Sequence, residues 1–157
     1  MSQADLVVVK VGTRVLTAAD GTLDAERVAA IAAQLARLWQ SGRRVVLVSS
    51  GAVGAGLGRL NLKQRPTDMA ELQATAAIGQ SLLIESYNQA LEPHQLHAAQ
   101  VLLTAEDLQD RRRYLNVRNT LFALFQCGEV QIINENDTVS VEELQTSFGE
   151  NDRMAAQ

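Results

Sequence analysis

Three short polar segments of the sequence contain residue types that could bind an anionic substrate. They are Lys10 with Gly12 and Thr13, the run from Ser49 to Gly56, and the run from Asn134 to Asp137. A lysine acts as a point charge on phosphoryl oxygens, while amides and a carboxylate can hold a carboxylate and an ammonium group together. Taken together, the three segments indicate a site for an amino acid and a phosphate.

Each segment also has a simpler explanation. Lys10 could extend from a strand end into solvent, and Asn134, Asn136 and Asp137 are residue types that favour turns. The glycine-rich run could serve only to ease packing between a helix and a strand. The chemical interpretation therefore depends on all three segments meeting in one place.

The spacing of the glycines excludes two familiar nucleotide-binding loops. Gly51, Gly54 and Gly56 read G-x-x-G-x-G, which differs from the dinucleotide fingerprint. No Gly-Lys-Ser/Thr follows them, as it would in a Walker A loop. The backbone N–H groups of Gly51 and Ala52 could still bind an anion if a helix begins there.

The pattern of apolar residues predicts strands that alternate with helices. The predicted strands are Leu6–Val9, Val45–Val48, a segment within Gln95–Leu103, Val130–Ile133 and, more weakly, Val139–Leu144. The predicted helices are Leu23–Gln40, Asp68–Glu92, one capped by Thr104, and Arg113–Gln126. This order predicts an α/β fold, a three-layer αβα sandwich around a mostly parallel sheet. Parallel strands would bring the three polar segments to one edge.

Composition narrows the class of protein. A chain of 157 residues with 46% hydrophobic residues fits one compact domain, and a net charge of −4 offers no basic field for nucleic acid. No leader or long apolar run suggests a membrane, so we expect a cytoplasmic protein. The one cysteine, Cys127, is predicted to be a buried structural thiol.

Several motifs, in order, resemble those of the glutamate 5-kinases, a branch of the amino acid kinase superfamily. The resemblance covers essentially the whole chain and rests on Val8–Thr13, Val48–Ala52, Ala77–Gln80, Leu102–Thr104, Asn116–Thr120 and Ile133–Asp137. It implies an amino acid kinase fold and ATP-dependent phosphorylation of the γ-carboxylate of L-glutamate, the first step of proline synthesis. ATP would enter with Mg²⁺, and no metal site made of protein ligands is expected.

The resemblance also implies roles for individual residues. Lys10 resembles the catalytic lysine that contacts ATP, with Gly12 and Thr13 beside it in the nucleotide site, and Asp152 resembles the aspartate that orients the catalytic lysines. The residues implied in glutamate binding are Ser50, Gly51, Ala52, Asn134, Asn136, Asp137 and Asn151. Glu150 stands where the family often has aspartate.

The family takes its adenine- and ribose-binding segments and a second catalytic lysine from sequence that would follow Gln157. We therefore expect residues 1–157 to be the N-terminal, glutamate-binding part of a kinase domain and to be inactive alone. Proline would act as a feedback inhibitor, with Asn61–Gln73 as the segment to examine, and the protein would form a homo-oligomer.

The sequence is also compatible with other functions. Acetylglutamate, aspartate and uridylate kinases share the superfamily fold, although their first motif usually differs from Gly12-Thr13. A non-catalytic module that binds glutamate or proline is a further alternative. A dinucleotide-dependent oxidoreductase is disfavoured by the glycine spacing.

Overall fold

The computed structural model describes residues 5–140, which form a four-stranded sheet flanked by helices. The strands are β1 (Leu6–Val11), β2 (Arg44–Ser49), β3 (Ala98–Leu103) and β4 (Val130–Glu135). The helices are α1 (Thr13–Leu16), α2 (Ala25–Gln40), α3 (Ala52–Leu60), α4 (Met69–Leu91), α5 (Ala105–Gln109) and α6 (Arg111–Cys127). A 3-10 turn at Glu92–His94 follows α4.

The sheet is parallel throughout its described strands, in the order β1-β2-β4-β3. Val48 of β2 pairs with Lys10 on one side and with Ile133 on the other. The loops after β1, β2 and β4 therefore follow one another along the same edge. The predicted α/β class and parallel sheet are confirmed.

Local signals explain where the helices begin and end. Asp24 caps α2 by accepting hydrogen bonds from the backbone of Glu26 and Arg27, and Gly42 after this helix has a φ of +85°. Asp68 caps α4 by accepting from the Glu71 N–H at 3.0 Å. The predicted helices over these segments are confirmed to within about two residues, the usual uncertainty of helix ends.

The sheet divides the core into two unequal parts. On the side that we call the α4 side, strand residues pack against α2 and α4; they are Val45, Leu47, Val130 and Ile132. On the opposite α6 side, strand residues pack against Val117, Leu121 and Phe125 of α6, which are only partly buried; the strand residues are Val46, Val48, Leu103 and Ile133. No residue of α6 is fully buried, although every other long helix contributes buried side chains.

Two expectations differ from the structure. Cys127 is exposed, so the prediction of a buried thiol is wrong; the residue lies at the end of α6 and is not among the side chains that pack on the sheet. The glycine-rich run becomes helical at Ala52, in a helix that is not among the predicted ones. Of the predicted extended segment 139–144, Val139 and Ser140 are not in a strand, and the rest lies outside the described residues.

Thr104 is confirmed at the start of a helix. The Asp107 carboxylate accepts hydrogen bonds from the Thr104 N–H at 2.8 Å and from its hydroxyl at 2.9 Å. Within residues 5–140, none of the helices is both long enough and apolar enough to span a bilayer.

Candidate functional site

The carboxyl ends of β1, β2 and β4 form the candidate site. Val11 pairs with Ser49 in the sheet, and just beyond this pair the Ser50 N–H donates to the Val11 carbonyl at 3.0 Å. At the far side of the edge, the Asn136 N–H donates to the Leu103 carbonyl at 2.8 Å. These bonds extend the ladders past the strands and fix the backbone from which the predicted site residues project.

Lys10 lies one residue before the end of β1 and is exposed. Its neighbours Val9 and Val11 both face the α4-side core, and because side chains alternate along a strand, Lys10 leaves the sheet on the α6 side. Gly12 and Thr13 follow directly, with Thr13 as the first residue of α1. The structure thus places a cation beside the loop that follows β2.

The loop after β2 turns sharply into α3. Gly51 has a φ of +110°, a left-handed conformation that favours glycine, and Ala52 begins the helix. The first N–H groups of such a helix have no partner within it and carry partial positive charge. Gly51 and Ala52 are therefore suited to bind a carboxylate or phosphoryl oxygen.

A very close contact between α3 and α4 fixes the position of that helix start. A Cβ built on Gly79 of α4 would lie 1.7 Å from the Ala52 carbonyl oxygen, and one on Gly56 would lie 2.0 Å from the Thr75 carbonyl oxygen. Only glycine allows two backbones to approach this closely. Gly79 of α4 and Gly56 of α3 therefore act together as a packing pair.

The end of β4 holds an inward-facing amide and a more accessible turn. Asn134 is 2% exposed; its Nδ2 donates to Oε1 of Gln80 at 2.7 Å, and its Oδ1 accepts from the Glu135 N–H at 2.8 Å. Asn136 is only half-buried, and its Oδ1 accepts a short hydrogen bond from the Thr138 hydroxyl. In this structure, the amide of Asn134 links β4 to α4.

Asp137 is a carboxyl group of the edge whose pKa is clearly raised. Burial raises the pKa of Asp137 from 3.8 to about 6, while the Arg65 guanidinium acts in the opposite direction. A partly desolvated carboxylate of this kind gains from binding a cationic group such as an ammonium. Arg65 belongs to the connection between α3 and α4. Its effect on the pKa of Asp137 shows that this connection lies near the end of β4.

The predicted residues Asn151 and Asp152, with Glu150 before them, lie outside the described residues. The strand register places the other predicted residues at the ends of three strands along one edge of the sheet; those residues are Lys10, Gly12, Thr13, Ser50, Gly51, Ala52, Asn134, Asn136 and Asp137.

Comparison with known proteins shows the family of the chain. Residues 5–157 match the amino acid kinase family. The chain belongs to the amino acid kinase family. Among its curated relatives, a protein from Rhodopirellula baltica named glutamate 5-kinase is 55% identical over 157 residues, which is 100% of this chain and 40% of the relative.

Two other curated relatives of the chain have the same name, glutamate 5-kinase. A glutamate 5-kinase from Thermus thermophilus is 56% identical over 153 residues, 98% of this chain and 40% of its own length. One from Moorella thermoacetica is 51% identical over 156 residues, 99% of this chain and 41% of its own length. The chain thus spans about two fifths of the curated relatives that it matches.

Three residues that act on the candidate site, Gln80, Tyr87 and Arg65, were not among the predicted site residues. Gln80 and Tyr87 of α4 bond to residues at the ends of β4 and β2, and Arg65 acts on Asp137. Gln80 falls in the motif Ala77–Gln80, which is the one sequence signal for it. Arg65 lies in Asn61–Gln73, the segment expected to respond to proline, but nothing in the sequence links it to Asp137. Tyr87 has no sequence signal, because its role depends on a contact between distant segments.

Glu135 is a buried carboxylate that the sequence also left without a role. It is 3% exposed, and its Oε1 accepts a short hydrogen bond from the Ser140 hydroxyl. Its Oε2 is buried and has no hydrogen-bond partner among residues 5–140. Glu135 follows Asn134 along β4 and therefore lies on the α6 side, the side from which Lys10 leaves the sheet.

Proposed function

We propose that this chain is the glutamate-binding part of a kinase that transfers the γ-phosphoryl group of ATP to the γ-carboxylate of L-glutamate. The observation that carries the proposal is the meeting of Lys10, the Gly51–Ala52 helix start and Asp137 at one sheet edge, in a chain about half identical to proteins named glutamate 5-kinase. The arrangement offers a cation, anion-binding N–H groups and a carboxylate, which are the groups that an amino acid and a phosphate require.

Each group has a role in this proposal. Asp137 receives the ammonium group of glutamate, and Ser50 with the N–H groups of Gly51 and Ala52 binds anionic oxygens nearby. Lys10 contacts the phosphates of ATP and offsets the charge that develops on the transferring group. Mg²⁺ enters with ATP and is held mainly by the phosphate oxygens.

The reaction needs no covalent intermediate on the enzyme. A γ-carboxylate oxygen of glutamate forms a bond to the γ-phosphorus of ATP as the bond to the bridging oxygen of ADP breaks, and no proton is transferred. The site must align two anions and reduce their repulsion. In the proposal, Asn151 supports glutamate binding and Asp152 orients the lysines.

The biological setting follows from the same proposal. The product, γ-glutamyl phosphate, would begin proline synthesis in the cytoplasm, and proline would inhibit the enzyme, which would act as a homo-oligomer. The effect of Arg65 on Asp137 supports Asn61–Gln73 as the segment through which proline acts.

A chimera tests the proposal directly. Residues 1–157 would replace the matching segment of the Rhodopirellula baltica relative, and the purified chimera would be assayed with ATP and four acceptors: glutamate, acetylglutamate, aspartate and UMP. We expect phosphorylation of glutamate alone, at a rate close to that of the parent enzyme. Preference for another acceptor would move the chain to a different branch of the family.

The non-catalytic alternative is tested in the same preparation and in the chain itself. Calorimetric titration of L-glutamate and of proline into both proteins measures binding without turnover. A chimera that binds glutamate but forms no product, beside an active parent enzyme, would favour a binding module and contradict the proposed transfer.

A further inference from the structure

Two buried hydroxyl groups connect α4 to the loop after β2. Tyr87 and Ser49 are each 0% exposed, and their hydroxyl oxygens lie 3.2 Å apart. The Ser49 hydroxyl also donates to the backbone carbonyl of Ser50 at 3.1 Å. Ser49 is the last residue of β2, so this contact lies directly beneath the helix start at Gly51.

The direction of the two hydrogen bonds can be assigned. A serine hydroxyl has one proton, and Ser49 uses it toward the Ser50 carbonyl. The Tyr87 hydroxyl must then donate to the Ser49 oxygen. Burial raises the pKa of Tyr87 to about 12, so the hydroxyl keeps its proton near neutral pH. The result is a directed chain from Tyr87 through Ser49 to the Ser50 carbonyl.

This chain orients the peptide group between Ser50 and Gly51. In a planar trans peptide, the carbonyl of one residue and the N–H of the next point in opposite directions. The Ser50 carbonyl is drawn toward Ser49 on the α4 side, so the Gly51 N–H is turned away from it. The Ser50 N–H is fixed as well, because it donates to the Val11 carbonyl at 3.0 Å.

We propose that Tyr87 is a positioning residue that, through Ser49 and the Ser50 carbonyl, holds the Gly51 N–H toward an anionic oxygen of the substrates. The oxygen belongs to the carboxylate of glutamate or to the transferring phosphoryl group, which present the same chemistry to an N–H donor. The inference rests on the proposed function and adds to it a residue that touches neither substrate.

Tyr87→Phe is the test, because it removes the hydroxyl and keeps the ring that fills the core. The matched control is Tyr114→Phe, which removes the other tyrosine hydroxyl of the chain from an exposed position on α6. In the chimera, we expect Tyr87→Phe to lose about 10- to 100-fold in kcat/KM, the scale of a misplaced catalytic group. The control should retain the kinetics of the unsubstituted chimera.

The kinetic parameters separate the two sources of the anionic oxygen. A rise in the KM for glutamate at unchanged kcat assigns the N–H to the substrate carboxylate, and a fall in kcat at unchanged KM assigns it to the transferring group. The melting temperature is measured in parallel, because a merely structural hydroxyl would lower it without changing the kinetics of the folded enzyme.

A double-variant comparison tests the path through Ser49. If Tyr87 acts through Ser49, then Ser49→Ala should reduce kcat/KM by itself, and adding Tyr87→Phe should reduce it little further. The inference is overturned if Tyr87→Phe keeps both kcat and KM within about twofold of the unsubstituted chimera, or if the two losses multiply. An unsubstituted chimera that cannot phosphorylate glutamate would instead overturn the proposed function.

Discussion

The two sides of the sheet differ in how completely they are covered. On the α4 side, α2 and α4 bury a continuous core that includes Leu35, Leu83 and Tyr87, each 1% exposed or less. On the α6 side, Leu6 and Val8 of β1 remain 47% and 42% exposed. The precise contacts of the candidate site, from Gly79, Gln80 and Tyr87, all come from the well-covered side.

This difference separates two functions of the fold. The α4 side is a rigid support that fixes the loops after β2 and β4 by close packing and buried hydrogen bonds. On the α6 side, the exposed Lys10 side chain leaves the sheet where the phosphate of the substrate is expected. We therefore expect substitutions on the α4 side to affect stability far more than those on the α6 side.

The largest effect is expected at Gly79. In Gly79→Ala the added methyl meets the Ala52 backbone, at 1.7 Å from its oxygen, so α3 must move. We expect the free energy of unfolding to fall by at least about 3 kcal/mol, even though alanine favours a helix by about 1 kcal/mol. Chemical denaturation of this chain and of the chimera measures the change.

Gly54→Ala is the matched control, since it adds the same methyl group inside a helix. Its nearest neighbour would be the Thr17 methyl at 3.2 Å, a side-chain atom that can shift. Its stability should stay within about 1 kcal/mol of the unsubstituted chain. Equal effects at Gly54 and Gly79 would contradict the close approach of the Gly79 and Ala52 backbones.

A pair of side-chain truncations compares the two cores directly. Leu83→Ala leaves a cavity on the α4 side, where the side chain is 0% exposed, and should cost about 3 kcal/mol. Leu121→Ala on α6 makes the same truncation on the α6 side, where the side chain is only partly buried, and should cost about 1 to 2 kcal/mol. Similar losses in denaturant titrations would contradict the contrast between the two sides.

Asp137, in the turn after β4, makes the stability of the protein depend on pH. Its pKa rises on folding from 3.8 to about 6, so the folded state binds more protons between these values. The contribution of Asp137 to stability therefore falls by about 3 kcal/mol or less as the pH rises through this window. Asp137→Asn should remove this part of the pH dependence, which equilibrium unfolding at several pH values can measure.

The same titration predicts how glutamate binding depends on pH. An ionised Asp137 is needed to hold the ammonium group, so the apparent affinity should fall about tenfold per pH unit below about pH 6. A glutamate affinity that calorimetry finds unchanged between about pH 5 and about pH 7 would exclude Asp137 as the ammonium partner.

Much of the fold could be predicted from local sequence, because strong periodicity and capping residues mark its main elements. Val45–Val48 and Val130–Ile133 are short β-branched runs, and Asp68 marks the start of α4. The insertion of β4 between β2 and β3 could not be predicted, since sequence order does not fix strand order. The helical state of Ala52–Leu60 was missed because its glycines disfavour a helix locally, whereas packing on α4 stabilises it.

The site was predictable where its chemistry lies at strand ends and not where it depends on tertiary contacts. Lys10, Ser50 and Asp137 follow apolar runs, so a parallel sheet brings their loops together. The bond from Tyr87 to Ser49 and the effect of Arg65 on Asp137 join residues far apart in sequence, and no local pattern indicates them.

The most direct test is the rate of ATP-dependent γ-glutamyl phosphate formation by the chimera with and without Lys10→Ala. We expect the unsubstituted chimera to approach the parent enzyme and Lys10→Ala to lose about 100- to 1000-fold in kcat, the scale of one removed charge at a transition state. Folding of both proteins is checked by their melting temperatures. Near-normal turnover of Lys10→Ala would contradict a role for the sheet edge in phosphoryl transfer.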